Sequence, residues 1–304
     1  MAATDQASRE ARPDLASPRG EATRSAYLLA FGSMVTLQGG NALALVLIHH
    51  LGVPASISLR LIFGSVFLVL LLRPRFRLAR PEVRLVLVFG VVVAAMGGLI
   101  YEAIDRLPLG VAVTISLLGP LTVAALGSRR RLDLAWPLLA LIGVVLMAEA
   151  GGGVGPSIDP LGLVFAAGNA VAWGAYIVIA ARSGRQFDGV HGLAPACVVA
   201  AVLWLPAGVA SGGLSSLTIP ILLLAVLTGI VATGLPYTME NLALRRMPQR
   251  IFGTLMSFEP AVATAVGLFL GQQPGPLALV GIALVIVASF GASLPAAPSP
   301  VSAP

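Results

Sequence analysis

The stretch that most constrains this chain runs from Ile251 to Leu270, IFGTLMSFEPAVATAVGLFL. Its twenty mostly apolar residues, at about 1.5 Å rise each, match the roughly 30 Å hydrocarbon core of a bilayer. Glu259 and Pro260 stand in its middle. A carboxylate at that depth costs at least ~2.5 kcal/mol, and a proline removes a backbone hydrogen bond. Lipid tolerates neither on an exposed face, so this helix must turn them toward protein or a water-filled cavity. A hydrophobic helix interrupted beside an acid is a candidate transport site.

The same pattern stands 140 positions earlier. Pro248, Thr254, Pro260 and Gly267 map in one register onto Pro108, Thr114, Pro120 and Gly127. Proline-interrupted helices in corresponding places of two halves point to a site at a repeat interface.

Nine further apolar runs accompany the first: 27–49, 54–72, 85–104, 110–126, 134–150, 161–181, 192–210, 219–244 and 277–294. The expected fold is an all-α integral membrane protein with ten transmembrane helices as two inverted five-helix repeats, 27–150 and 161–294. A linker at 151–160 joins them, and polar or Pro/Ser/Ala-rich tails at 1–26 and 295–304 are expected to be disordered. Only 11% of residues are charged, against about a quarter in soluble domains, which excludes a soluble fold. Lysine is absent, and 17 of the 19 arginines fall before the first span or after spans two, four, six and eight. Positive residues mark the cytoplasmic side, so both termini are expected there. Five spans per half is an odd number, so the halves cross in opposite senses.

The net charge of +6 is spread between apolar runs rather than gathered in one basic domain, so no nucleic-acid partner is expected. The partners expected are a small-molecule substrate and the lipid bilayer, with the chain a monomer or a homodimer. Cys197 is the sole cysteine, which rules out an intramolecular disulfide. His49–His50 lacks ligand spacing, and no nucleotide loop, HExxH, GxSxG or CxxC occurs. No metal or cofactor is therefore expected, and no enzymatic activity.

Chemistry must come from the few polar residues inside spans. Glu259 is deepest, and Glu240 lies in LPYTMENLAL after Pro236, another expected bend. Both are candidates for proton coupling. Arg60 has three available roles: reaching the outer surface, pairing with a buried acid, or holding a substrate carboxylate by its two-pronged head. Gln38 and Asn41 in the first span, and Asn169 with Trp173 in the sixth, occupy corresponding helices of the two halves. They either bind helices to one another or line a cavity.

The stretches TLQGGNALA, YEAIDRLPLGVAVTISLLGPLTVAALGSRRRLDLAW and GLPYTMENLALRRMPQRIFGTLMSFEPAVA resemble the drug/metabolite transporter superfamily, in the branch with EamA-type repeats. Within that branch they are similar to the bacterial threonine/homoserine exporter group. The resemblance implies an inner-membrane exporter of small metabolites, most readily amino acids, driven by proton antiport. It matches Glu240, Glu259 and Arg60 to polar residues of the group's eighth, ninth and second helices. Tyr101, Glu102, Ser116 and Tyr237 join the expected substrate site, with helix breaks at Gly119, Pro120, Pro236 and Pro260. One departure stands out: Ser116 occupies the place where the group carries a glutamate three residues before Gly119–Pro120, with Glu102 a candidate substitute. Drug or other metabolite efflux is the alternative within the superfamily; a membrane-embedded enzyme or a scaffold is the alternative outside it.

Overall fold

The computed structural model describes residues 18–74, 78–126, 135–149, 159–187, 192–244, 246–247, 252 and 255–293. Every regular element among them is helical. The helical run Pro18–Leu72 is two helices, α1 (18–51) and α2 (53–72), that meet at Gly52 with φ 74° and ψ 167°. Positive φ carries no Cβ penalty in glycine, and Pro54 in the first turn of α2 keeps the two axes from merging.

Helix α3 covers Arg80–Arg106. α4 comes in two pieces, Leu109–Ser116 and Leu118–Leu126. α5 is Ala135–Glu149, α6 Pro160–Gln186 and α7 Leu193–Ala210. α8 runs as Ile219–Gly229, a π-helical turn Ile230–Gly234, then Leu235–Leu244. Glu259–Phe269 forms α9 and Pro276–Ser293 forms α10. Asp159 starts α6 by accepting from Leu161 N–H at 2.8 Å, which satisfies an otherwise orphan donor.

The N-terminal boundary differs from expectation. Helix α1 already begins at Pro18, so the segment 18–26 of the expected tail is helical, while 1–17 lies outside the described residues. Proline is favoured in a first helical turn, and beyond Gly20 the run Glu21–Ala26 contains neither glycine nor proline. Residues 151–158 of the expected linker and all of 295–304 also lie outside the described residues.

Among the described residues, five helices are long and apolar enough to cross a membrane: Arg24–Leu72, Arg80–Arg106, Pro160–Ala180, Leu193–Ala210 and Ile219–Glu240. The first holds 49 residues, more than twice a single span. Four shorter apolar helices accompany them, among them the two that carry Pro120 and Pro260. Polarity is arranged opposite to that of a soluble domain. Phe269, Leu126, Ile219 and Val171 stand more than three-quarters exposed, while Gln38, Asn41, Arg60, Ser116, Asn169 and Glu259 are buried. Such a surface suits hydrocarbon, and polar groups belong inside such a bundle.

Small residues bring the helices together. α3 lies against α6 and α7; α1 and α2 lie against α8, and α2 also against α7; α4 packs on α6 and α9; α5 packs on α10. At the last of these contacts a Cβ on Gly143 would stand 2.6 Å from the Gly281 carbonyl oxygen, so the backbones touch. Gly143→Ala is expected to cost about 1–3 kcal/mol by overpacking, read as a lower midpoint of thermal unfolding in detergent. An unchanged midpoint would mean that α5 and α10 part without cost.

Candidate functional site

The site is built on helix interruptions. Residues 257–258 form a turn, and α9 restarts at Glu259 with Pro260 in its first turn. Pro260 has no N–H to offer the carbonyl of Met256, which breaks the ladder beside the acid. The break also sets a carboxyl at the electropositive N-terminal end of a half-helix. Glu259 is buried at 2% exposure and accepts from Gln38 Nε2 at 3.0 Å. Asn41 Nδ2 in turn donates to Gln38 Oε1 at 3.0 Å. A buried polar chain thus links α1 to α9.

Arg60 uses a second interruption. Pro236 brings no backbone N–H to α8 just after the π-helical turn Ile230–Gly234, where the ladder has shifted to five-residue bonds such as Leu235 N–H to the Ile230 carbonyl. Arg60 Nη2 donates to the Ala232 carbonyl oxygen within that turn at 3.1 Å, and Nε donates to Thr233 Oγ1 at 3.0 Å. The guanidinium carbon sits 5.0 Å from the centroid of the Tyr101 ring, within range of a cation–π contact. A third pair lies between α6 and α4, where Asn169 Nδ2 donates to Ser116 Oγ at 2.9 Å. Ser116 passes its own proton to the Ala112 carbonyl at 2.8 Å.

Among the described residues, the buried side-chain polar atoms without a protein partner are Asn41 Oδ1, Arg60 Nη1, Tyr101 Oη and Asn169 Oδ1. All four belong to residues that the sequence marks out for the site. Buried polar groups are nearly always hydrogen-bonded, so each exception requires a reason. Donors and acceptors held open in a dry interior are what a polar solute needs in order to leave water.

The other candidates fall around this centre. Tyr237 stacks on Tyr176 with centroids 6.1 Å apart and planes at 20°, in electrostatic range of Arg60, Glu240 and Glu259. Glu240 is half-buried near the end of α8 and within electrostatic reach of Glu259. Trp173 packs half-buried against the apolar core. Gly119 allows α4 to meet the backbone of α6 at Ala170, and Pro120 withdraws the donor that would satisfy the Ser116 carbonyl.

Glu102 stands apart from these. It bonds Arg106 one turn along α3, and Arg106 also faces Asp105 at 3.6 Å and Asp159 at 3.8 Å. This ion cluster lies where α3 turns into α4. A cleft of about 510 Å³ opens there, lined by His49, Asp105, Arg106, Pro108, Leu270 and Gln272 among others. The sequence reading did not single out Thr233, the Ala232 carbonyl, Tyr176 or Gln272. Pro236 points to the irregular stretch of α8 that holds Ala232. No comparable signal marks the others, because threonine and tyrosine pack readily in apolar spans. Among the described residues no cluster of His, Cys, Asp or Glu could hold a metal ion.

Apolar outer faces around a buried set of open donors and acceptors define a membrane transporter. Residues 160–294 match the EamA-like transporter family. Over 264 residues the chain is 36% identical to the threonine/homoserine exporter RhtA of Escherichia coli strain K12, covering 86% of this chain and 89% of that protein. The exporter of the same name from Salmonella typhimurium strain LT2 is 34% identical over the same shares. A solved crystal structure with 22% sequence identity superposes with a TM-score of 0.60, over 88% of this chain and 95% of its own, and shares the fold. The chain belongs to the EamA-like transporter family, within the drug/metabolite transporter superfamily, and is a transporter rather than an enzyme.

Proposed function

We propose that this protein exports small zwitterionic amino acids of the threonine/homoserine kind across the bacterial inner membrane, in exchange for protons. The observation that carries the reading is the set of open polar atoms. Arg60 Nη1 and Tyr101 Oη are buried donors that suit a substrate carboxylate, and Arg60 is already held by two hydrogen bonds. Asn41 Oδ1 and the Glu259 carboxyl are acceptors that suit an ammonium group. The relatives named as threonine/homoserine exporters support the substrate class.

The architecture proposed is ten transmembrane segments in two inverted repeats, with both termini cytoplasmic. The break in α4 at Leu117 and the turn at Ser257 lie at the same 140-residue offset as the paired prolines. The packing supports exchange of the halves as well. Adding five to each helix number, modulo ten, carries α3–α6 onto α8–α1, α3–α7 onto α8–α2 and α4–α6 onto α9–α1. The pairs α2–α7, α4–α9 and α5–α10 map onto themselves. All of these contacts occur. Two halves able to exchange shapes supply inward- and outward-facing states around one site.

The test is efflux of labelled threonine from loaded proteoliposomes holding the purified chain. Efflux is expected to accelerate when the outside is made acidic and to need no ATP. Proton-driven movement of apolar dyes without any amino acid would overturn the substrate class. Threonine efflux indifferent to the gradient would overturn the coupling.

A further inference from the structure

The two halves do not offer the same chemistry to a substrate. In one, Gln38 of α1 donates to the Glu259 carboxyl of α9, and Asn41 donates to Gln38. In the corresponding place of the other, Asn169 of α6 meets the Ser116 hydroxyl of α4. Each contact lies within one turn of a helix break, and each includes an asparagine with a buried, unpartnered Oδ1. The difference is charge: the α1–α9 pair holds a carboxyl and the α4–α6 pair holds only neutral groups.

We propose that the Asn169–Ser116 pair is a specificity subsite that receives the side-chain hydroxyl of the substrate, so that the protein selects hydroxylated amino acids over their apolar isosteres. The proposal rests on the amino-acid export reading above. Ser116 Oγ holds Asn169 Nδ2 at 2.9 Å and spends its own proton on Ala112 O at 2.8 Å. The amide is thereby fixed with its oxygen free, and Asn169 is only 3% exposed, so little water competes. A free acceptor in a dry site needs a donor from the substrate. An ammonium group, being a cation, goes to the half with a carboxyl. A neutral hydroxyl suits the neutral acceptor, and by donating to Asn169 Oδ1 it supplies the missing hydrogen bond. An apolar side chain brought to the same place leaves Oδ1 buried and unsatisfied, which penalises that substrate. Discrimination therefore comes from rejecting the isostere as much as from binding the hydroxyl.

Counterflow of labelled threonine in proteoliposomes without a pH gradient separates recognition from coupling. Unlabelled threonine and homoserine compete against valine and norvaline, in which a methyl replaces each hydroxyl. The wild-type protein is expected to prefer the hydroxylated member of each pair by at least about tenfold. Asn169→Ala is expected to bring that ratio close to one by weakening threonine while valine competes as before. Ser116→Ala, which releases the asparagine, should shift it the same way by less. Equal competition by threonine and valine in the wild type overturns the subsite and needs no variant to do so. Equal weakening of both by Asn169→Ala overturns it as well, since that marks a packing role, and in both cases amino-acid export stands. If no amino acid exchanges at all in the wild type, the export reading fails and the subsite falls with it.

Discussion

Glu259→Gln is expected to abolish proton-driven accumulation while substrate exchange persists at lower affinity. The substitution preserves the volume of the side chain and still offers a carbonyl oxygen to Gln38 Nε2, the partner at 3.0 Å in the native chain. What disappears is the ability to gain and lose a proton. A carboxyl at the head of a half-helix, buried at 2% exposure, is charged only where water or a cation reaches it. Its protonation should therefore follow which face of the bundle is open, and a substrate ammonium competes with the proton for the same oxygen. One pH unit is worth about 1.4 kcal/mol, so a one-proton exchanger sustains a roughly tenfold concentration ratio per unit of gradient. The variant should sustain a ratio near one, with counterflow still present but needing more threonine, because a neutral amide holds the ammonium less well than a carboxylate. Proteoliposomes read by labelled threonine at imposed pH gradients give both numbers. A variant that accumulates substrate as the native chain does would make the Gln38–Glu259 bond purely structural and transfer coupling to Glu240.

Much of this site was legible because lipid is so selective a solvent. Gln38, Asn41, Arg60, Asn169 and Glu259 stand out in the sequence, since a polar group inside an apolar span needs a partner or a function. The prolines at 120 and 260 were equally visible, and the breaks lie beside them at Leu117 and Ser257. Pairing was another matter. Nothing in the sequence says that Arg60 spans to the Ala232 carbonyl rather than to an acid, because that choice depends on how α2 packs against α8. Nor does it say that Glu102 faces Arg106: the i,i+4 spacing permits the pair, but its neighbours in YEAIDR equally suit a cavity. The bend in α8 shows the same limit. Pro236 announced an irregular helix, yet the π-helical turn begins at Ile230, ahead of the proline. The extra residue is accommodated over a turn rather than at one peptide bond.

Replacing Arg60 should have the second largest effect. Its guanidinium serves three directions at once: Thr233 Oγ1 through Nε, the Ala232 carbonyl through Nη2, and the Tyr101 face at 5.0 Å. Nη1 remains for substrate. A lysine ammonium is a single point of charge on a flexible stem and cannot reproduce that fork. In Arg60→Lys the charge remains, so any defect reports geometry; in Arg60→Met the charge goes too. Hydrogen bonds to a charged group contribute about 1.5–3 kcal/mol, which predicts an apparent KM for threonine raised roughly 10- to 150-fold in Arg60→Met. Arg60→Lys should fall between this variant and the wild type. Thr233→Val, which removes only the Nε partner, should loosen the guanidinium and raise KM by much less. The order of the three variants is the informative result, because a residue needed only for folding would lower the amount of protein in the membrane without moving KM. If Arg60→Met reaches wild-type abundance and transports threonine with an unchanged KM, Arg60 is a helix-joining group between α2 and α8, and the substrate carboxylate is held elsewhere.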